Sequence, residues 1–452
     1  MAGAAAALRL RARRRALRRG KAPKPSKQSQ APKAPPPKRV KKSRAPPQQS
    51  SQAAPQQSQA APPATQKQKP LQLINEQLKL AKQAGGTPAV AERLRKTLLL
   101  AERARARRDS PPLAAAAREA ARDYAVVLFQ LGRSADAEAV LRAKFPEARF
   151  RLSDEVLRYG AAPAAAPPAL APRQCAAFDD ALPGWLFDAL ARCFAADGGF
   201  WPAHGYDVDG GGAGFFSYVH SIADDDSDSD GDDEPATRVA ARALRGLFAR
   251  AMPQLEAARA VEWWAHCRPH GCGHQLHFDS ADEGRHDGEG PRHPIASVVV
   301  YLTETLGGPT LVTTQTIADA RMPVRDCAAL VPPKANRCAA FDGRLLHCVV
   351  PGRGAAPDPC ARRVTLMISY WREPHAAPAA GGGARAAMRF PRRARAPRWA
   401  RPFFAAAPGA EAPRKRKPAA PVAVGRLWTA VPDGGDDGRA AVPLPPYDAC
   451  FQ

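Results

Sequence analysis

The sequence predicts an α+β protein with a mainly β core, a helical region before that core and basic tails at both ends. Short β-branched runs punctuated by Gly and Pro lie between about residues 294 and 371, which is typical of an antiparallel barrel or jelly roll. Apolar residues at three-and-four spacing between Leu71 and Tyr159 predict helices. The 452 residues carry a formal charge of +24 and 47 prolines, so we expect much of the chain not to pack.

Residues 1–70 are predicted to form a disordered basic tail. Residues 1–75 hold 18 Lys and Arg and no Asp or Glu, and the tail has no aromatic residue, so little apolar surface is available to offset the entropy of ordering. Such a tail can bind nucleic acid without sequence preference. Basic clusters at 38–44 and 414–417 favour nuclear import, and an N-terminal organellar transit peptide is the alternative.

Residues 71–159 predict a helical region. Leu94, Leu98 and Ala101 share one helix face, and Gly132 separates two helical segments that together are similar to a single tetratricopeptide hairpin. No second copy of this hairpin follows, and such repeats need neighbours to bury a core. A helical cap packed on the β core is therefore favoured over a peptide-binding groove.

A Pro/Ala-rich linker at 160–172 precedes the predicted β domain at 173–374. Within that domain, the charged and Gly-rich segment 280–293 is a candidate lid. Residues 375–452 are predicted to be a largely disordered basic tail. Its arginines and aromatics between Met388 and Phe404 predict either stacking on single-stranded bases or packing against the core.

An H-x-D motif, His277 to Asp279, is followed seventy residues later by His347. Side chains two apart on an extended strand share a face, so His277 and Asp279 can reach a common point. Two histidines and one carboxylate that leave other positions open suit non-haem Fe(II). A Cys/His cluster before the motif could bind structural zinc, but it has no C-x2-C pair and strict alternation places His274 opposite His277. The members of that cluster are His266, Cys267, His270, Cys272 and His274.

The last predicted strand, at 362–371, places Arg363 and Thr365 on one face by alternation. An arginine that faces an apolar interior needs an anionic partner, and its planar fork matches a carboxylate. A dicarboxylate would therefore fit this side of the site. The neighbouring Arg362 is expected to be a solvated outward charge.

Residues from about 178 to 371 resemble the 2-oxoglutarate- and Fe(II)-dependent oxygenases, in particular the prolyl-hydroxylase-like members. The H-x-D, the histidine in LLH-x-V-x-PG and an R-x-T on the last strand occur in family order. The resemblance implies a double-stranded β-helix that binds Fe(II) and 2-oxoglutarate as co-substrate. The residues with implied roles are His277, Asp279 and His347 at the metal, and Arg363, Thr365 and Tyr301 at the far carboxylate of 2-oxoglutarate. Ordinary packing is the alternative for Tyr301.

The implied reaction oxidises a C–H bond, by default through hydroxylation, and releases succinate and CO2, with ascorbate as a further candidate cofactor. Ser369 stands where the nucleic-acid demethylase branch has a second arginine, which disfavours that branch. A protein side chain is the favoured prime substrate, and a small molecule is the second. A non-catalytic binding module with the same fold, tethered to nucleic acid by the tails, is the alternative function.

The sequence also predicts an intracellular, soluble protein. No apolar run reaches the length of a membrane span. Nine scattered cysteines without framework spacing are typical of reduced thiols inside a cell.

Overall fold

The structure is a computed structural model, and it describes residues 69–148, 150–160, 169–209, 216–222, 234–281, 292–317, 327–373, 387–405 and 416–431. The predicted basic tail at 1–70 lies almost wholly outside these ranges. Most of the linker at 160–172 and of the candidate lid at 280–293 also lies outside them.

Helices occupy the first part of the described chain and recur between the strands. Thr87 caps one of them, since its Oγ1 accepts a hydrogen bond from the Val90 amide at 3.2 Å and Pro88 follows at the first helical position. In chain order the α-helices are α1 (Lys69–Ala84), α2 (Pro88–Arg107), α3 (Pro111–Gln130), α4 (Ser134–Lys144), α5 (Asp154–Leu157), α6 (Gly184–Cys193), α7 (Phe200–Ala203) and α8 (Ala236–Phe248). Short 3-10 helices span Pro253–Ala257, Arg393–Arg395 and Arg401–Phe404. Over the ranges that the structure describes, no helix is both long and apolar enough to cross a bilayer.

The strands form two main sheets. In chain order they are β1 (Gly85–Gly86), β2 (Phe150–Leu152), β3 (Cys175–Asp179), β4 (Tyr218–Ser221), β5 (Ala260–Arg268), β6 (His274–His277), β7 (Ala296–Tyr301), β8 (Thr310–Thr316), β9 (Ala328–Val331), β10 (Cys338–Asp342), β11 (Leu345–Val349), β12 (Gly354–Ala355), β13 (Arg363–Trp371), β14 (Met388–Arg389), β15 (Lys417–Ala419), β16 (Val422–Val424) and β17 (Trp428–Ala430).

The large sheet has eight strands in the order β14-β4-β5-β13-β7-β10-β3-β15, and the small sheet has five in the order β16-β9-β8-β11-β6. Their pairings are antiparallel except for β14 with β4. One apolar cluster holds side chains from both sheets, including Tyr301 and Phe341 from the large sheet and Val312 and Leu345 from the small one. The protein is thus a mixed helix and sheet protein whose two main sheets face each other across a shared interior.

The helical region packs against the outer face of the small sheet. Its buried residues, such as Leu94 and Phe129, belong to one apolar cluster with Leu276 of β6, Leu311 of β8 and Leu346 of β11. These three sheet residues point away from the shared interior because side chains alternate along each strand. The helices thus pack on the outer side of β6 and β11, the strands that carry His277 and His347.

The predicted tail at 375–452 is described by the structure only in part, at residues 387–405 and 416–431, and these parts contain strands. Its described parts add β14 and β15 to the two edges of the large sheet, β16 to one edge of the small sheet, and β17 to β2. Phe403 is fully buried beside Trp263, and Phe390 and Trp399 pack on the same cluster. These aromatics are therefore core residues, and base stacking by them is not supported.

Candidate metal centre

The three predicted metal ligands meet at one end of the small sheet. His277 ends β6 and lies directly opposite His347 of β11, while Asp279 follows two residues beyond the end of β6. Ligand atoms from the three side chains all lie within 4.8 Å of one another, and among the described residues no other group of three or more His, Cys, Asp or Glu is arranged in this way. The structure therefore brings together the set that the sequence motif predicts.

The two imidazoles are oriented by their own strands. Nδ1 of His277 is 2.9 Å from the Gln275 carbonyl oxygen, and Nδ1 of His347 is 2.9 Å from the Leu345 carbonyl oxygen. A carbonyl can only accept, so each Nδ1 carries the proton and each Nε2 keeps its lone pair. The Nε2 atoms lie 3.5 Å and 3.6 Å from Oδ1 of Asp279. This tautomer is the one that binds a metal through Nε2.

The carboxylate of Asp279 is fixed through its second oxygen. Ser297 of β7 donates a 2.5 Å hydrogen bond to Oδ2, and the Ser297 hydroxyl lies 3.1 Å from that of Ser369 on β13. Burial raises the pKa of Asp279, whereas its neighbours His347 and His277 and the hydrogen bond from Ser297 lower it, and together they hold the pKa below its ordinary value. Asp279 is therefore an anion whose Oδ1 faces both histidines.

The donor set fits a divalent metal of the Fe(II) type. Burial, with the nearby His277, lowers the pKa of His347 to about 4, so its imidazole is neutral at neutral pH. Its Nε2 is buried and has no hydrogen-bond partner within the described part of the chain. A buried nitrogen lone pair without a partner is unfavourable unless something binds it, and a metal would do so. One carboxylate and two imidazoles leave positions open for other ligands.

His274 does not lie where strict alternation places it. His277 pairs with His347 and His274 pairs with Val349, so three steps along β6 match two along β11. This β-bulge reverses the alternation, and the ring centroids of His274 and His277 are 4.8 Å apart. The prediction that they occupy opposite faces is wrong, because a bulge depends on the partner strand. His274 and His266 of β5 line the same pocket as His277.

The other end of this pocket is basic. Arg363 of β13 is 4% exposed and lies directly opposite Arg268 of β5. Burial and the like charge of Arg268 lower the pKa of Arg363. Nε and Nη2 of Arg363 are buried and have no partner among the described residues. These two nitrogens form one edge of the guanidinium, which is the geometry for two-point contact with a carboxylate.

The remaining residues predicted for the co-substrate lie around Arg363. Thr365 is buried and lines the pocket. Tyr301 is fully buried, its hydroxyl donating to Thr310 Oγ1 at 2.7 Å and lying 3.0 Å from the Val331 carbonyl oxygen, while the Arg363 guanidinium lies 5.5 Å from its ring centroid. Thr310 lines the pocket. Tyr301 therefore contacts the site through Thr310 and Arg363.

Arg362 corrects a second expectation. It is 8% exposed and forms an ion pair with Asp209, and its Nη1 donates to the carbonyl oxygens of Pro359 at 2.8 Å and Ala361 at 3.0 Å. It is thus a buried structural charge and not a solvated one. Asp209 belongs to a loop that packs against Arg362. Alternation along β13 gives no information about where such a loop lies.

Sequence reasoning missed three residues of this site: Ser297, Thr310 and Arg268. Ser297 interrupts the apolar run of β7, and a lone serine inside such a run is a signal for a polar contact. Thr310 and Arg268 give no such signal, since their roles depend on how the strands pair.

No protein-family model matches the chain, and no curated protein matches it. Among solved structures it is similar to AviO1 from Streptomyces viridochromogenes Tue57, with 14% identity and a TM-score of 0.27 over 46% of this chain and 95% of AviO1. An oxidoreductase of the 2OG-Fe(II) oxygenase family from Burkholderia pseudomallei is 15% identical, with a TM-score of 0.22 over 35% of this chain and 69% of that one. HygX from Streptomyces hygroscopicus, solved with iron bound, is 13% identical, with a TM-score of 0.25 over 49% and 97%.

Proposed function

We propose that the protein is an Fe(II)- and 2-oxoglutarate-dependent oxygenase with a double-stranded β-helix core. The observation that carries the proposal is one pocket with two matched ends. At one end His277 and His347 face Asp279 through their Nε2 atoms, and at the other the Nε–Nη2 edge of Arg363 has no partner in the described chain. A metal suits the first end and a carboxylate suits the second.

His277, Asp279 and His347 would hold Fe(II), which when bound supplies the redox chemistry needed to activate O2. The protein's own contribution at this end is orientation. The carbonyl oxygens of Gln275 and Leu345 set the histidine tautomers, and Ser297 holds the carboxylate. Little rearrangement is then required when a metal binds.

Arg363 would bind the far carboxylate of 2-oxoglutarate in two-point contact, with Thr365 as a further hydroxyl donor. Asp279 belongs to the metal end, and the described side chains that line the rest of the pocket include no acidic one, so a carboxylate at Arg363 meets no like charge among them. Tyr301 would act on the same carboxylate by holding Thr310 and the face of Arg363. Val299, Trp264 and Met367 supply apolar walls that strengthen these charged contacts.

The proposed reaction couples conversion of 2-oxoglutarate and O2 into succinate and CO2 to oxidation of a C–H bond in a prime substrate, with hydroxylation as the outcome. A protein side chain is the first substrate class that we propose, and a small molecule is the second. Ascorbate would serve as a reductant that maintains Fe(II). A gain in mass of one oxygen in candidate peptides or metabolites, dependent on 2-oxoglutarate, would identify the substrate.

The test of the proposal is succinate release by the purified full-length chain. We expect release that requires both Fe(II) and 2-oxoglutarate, is removed by a chelator and returns when Fe(II) is restored. The alternative, a non-catalytic binding module tethered to nucleic acid, predicts metal binding without succinate. The complete donor set disfavours that alternative.

A further inference from the structure

His270 lies in the loop between β5 and β6, seven residues before the first metal ligand, and is 5% exposed. Its Nδ1 accepts a hydrogen bond from the amide of Gly307 at 3.1 Å, and its Nε2 lies 3.2 Å from the carbonyl oxygen of Arg353. Because an amide donates and a carbonyl accepts, the ring carries one proton, on Nε2. Both ring nitrogens are thus used, and they join two loops that flank the pocket.

Gly307 connects this histidine to Arg363. Its φ of +77° is in the left-handed region, and a Cβ added there would lie 2.4 Å from Cδ of Arg363. The backbone of Gly307 is therefore packed against the aliphatic stem of the arginine. A shift of this backbone would let the Arg363 stem move, together with the guanidinium edge that awaits a carboxylate.

On its other side His270 contacts the helical region. A Cβ at Gly85, in the turn after α1, would lie 2.3 Å from the Gly354 carbonyl oxygen and 2.8 Å from Cδ2 of His270. The same turn is fixed by pairing of Gly85 with Ala355 and by the hydrogen bond from the Gly271 amide to the Lys82 carbonyl oxygen at 2.7 Å. A continuous series of close contacts thus runs from the end of α1 through His270 and Gly307 to Arg363.

We propose that His270 is a positioning residue that couples the turn after α1 to Arg363 and thereby sets the affinity for 2-oxoglutarate. This inference rests on the proposed function, in which Arg363 binds that co-substrate. It gives the helical region a second role beside support of the small sheet. The conformation of the turn at Gly85 would then influence the affinity for 2-oxoglutarate from outside the pocket.

Two substitutions of His270 test its two hydrogen bonds one at a time. In His270→Asn the amide oxygen stands near the place of Nδ1 and can still accept from Gly307, whereas in His270→Gln the longer side chain can still donate to Arg353 but no longer supplies that acceptor. The readout is calorimetric titration of 2-oxoglutarate into full-length protein loaded with Ni(II). We expect His270→Asn to stay within about threefold of the parent affinity and His270→Gln to lose about tenfold, which is the effect of one lost hydrogen bond on a binding constant.

A second pair tests the connection to the helices. Gly85 and Gly132 both have left-handed backbones in the helical region, but a Cβ at Gly132 would meet only Arg158, at 3.6 Å. Gly85→Ala should therefore weaken 2-oxoglutarate binding, and Gly132→Ala, which carries the same backbone strain, should not. Equal affinities for these two variants, or for the two His270 variants, would overturn the coupling.

Arg363→Lys, measured in parallel, separates this inference from the proposed function. If Arg363→Lys binds 2-oxoglutarate like the parent, the assignment of the co-substrate site fails. If Arg363→Lys loses affinity while His270→Gln keeps it, the function stands and the positioning role of His270 fails. Ni(II) affinity should be equal in all of these variants, because none of the substitutions touches a metal ligand.

Discussion

The two ends of the pocket are prepared for their ligands in opposite ways. At the metal end, the atoms of His277, Asp279 and His347 that face away from the centre are already bonded to the protein. At the arginine end, the guanidinium edge of Arg363 that faces the pocket has no partner in the described chain. At the metal end the protein holds the side chains in place by hydrogen bonds, whereas at the arginine end a buried charge has no partner at its Nε–Nη2 edge in the described chain.

This difference has an energetic consequence. A buried charge without a partner destabilises the folded protein more than a buried neutral nitrogen without one. Binding of a carboxylate beside Arg363 should therefore stabilise the whole protein, in addition to filling a site. Substitutions at the metal end should therefore change metal binding and metal-dependent activity, whereas substitutions at the arginine end should change the KM for 2-oxoglutarate.

The largest effect is expected at the metal end. His277→Ala or Asp279→Ala should reduce Fe(II)-dependent succinate formation to background, because the remaining two ligands cannot hold the metal firmly. Circular dichroism should show that the fold is retained. A variant of either kind that releases succinate like the parent would contradict the ligand assignment.

At the arginine end, Arg363→Lys keeps the charge but loses the two-pronged edge. We expect the KM for 2-oxoglutarate to rise by about 10- to 100-fold, the effect of losing one charge-assisted hydrogen bond. Arg362→Lys is the matched control: it should lower the free energy of unfolding by about 1 kcal/mol through its contacts with Asp209 and leave the KM unchanged. A raised KM in the control instead would show that the neighbouring arginines have been assigned the wrong roles.

Ser297→Ala tests whether the metal end is preorganised. Removing the hydrogen bond to Asp279 should weaken metal affinity about tenfold, as is usual for groups that orient a ligand, without changing the KM for 2-oxoglutarate at saturating Fe(II). Ser369→Ala should have a smaller effect, because the Ser369 hydroxyl bonds to the Ser297 hydroxyl and not to the Asp279 carboxylate. Equal metal affinity in Ser297→Ala and the parent would mean that the carboxylate needs no such support.

The smallest effects are expected for the hydroxyls near Arg363. Thr365→Val and Tyr301→Phe should each raise the KM for 2-oxoglutarate about two- to fivefold, since each removes one neutral hydrogen-bonding group at or beside the carboxylate site. Initial rates of succinate formation over a range of 2-oxoglutarate concentrations would measure this. An unchanged KM in Tyr301→Phe would assign Tyr301 to packing alone.

The proximity of His277 to Asp279 and the inward position of Arg363 could be predicted because their evidence is local, whereas His347 was placed beside them by the resemblance to the oxygenases. Along β13 regular alternation holds from Arg363 onward, so the inward face could be read directly. The co-localisation of His277 and Asp279 was also predictable, although Asp279 lies beyond the end of β6. The positions of His274 and Ser297 could not be derived in this way, since a bulge and a cross-strand contact depend on which strands pair and in which register.

The C-terminal strands could not be predicted for another reason. Lys417–Ala419 and Val422–Val424 are three residues each, which is too short for an alternating pattern to be recognised. Their own propensity is too weak to define a strand, and they are ordered by hydrogen bonds to strands that already exist. Composition alone therefore made this segment resemble the tail at the other end of the chain.

The position of these late strands bears on how the protein is made. β15 covers the outer edge of β3, and β16 covers that of β9. Synthesis proceeds from the N-terminus, so both edges expose unpaired backbone amides and carbonyls until the last part of the chain emerges. Such edges are templates for pairing between molecules. The C-terminal segment thus replaces these edges by short strands of three residues, one of which contains a proline, and chains that stop near residue 374 are expected to aggregate.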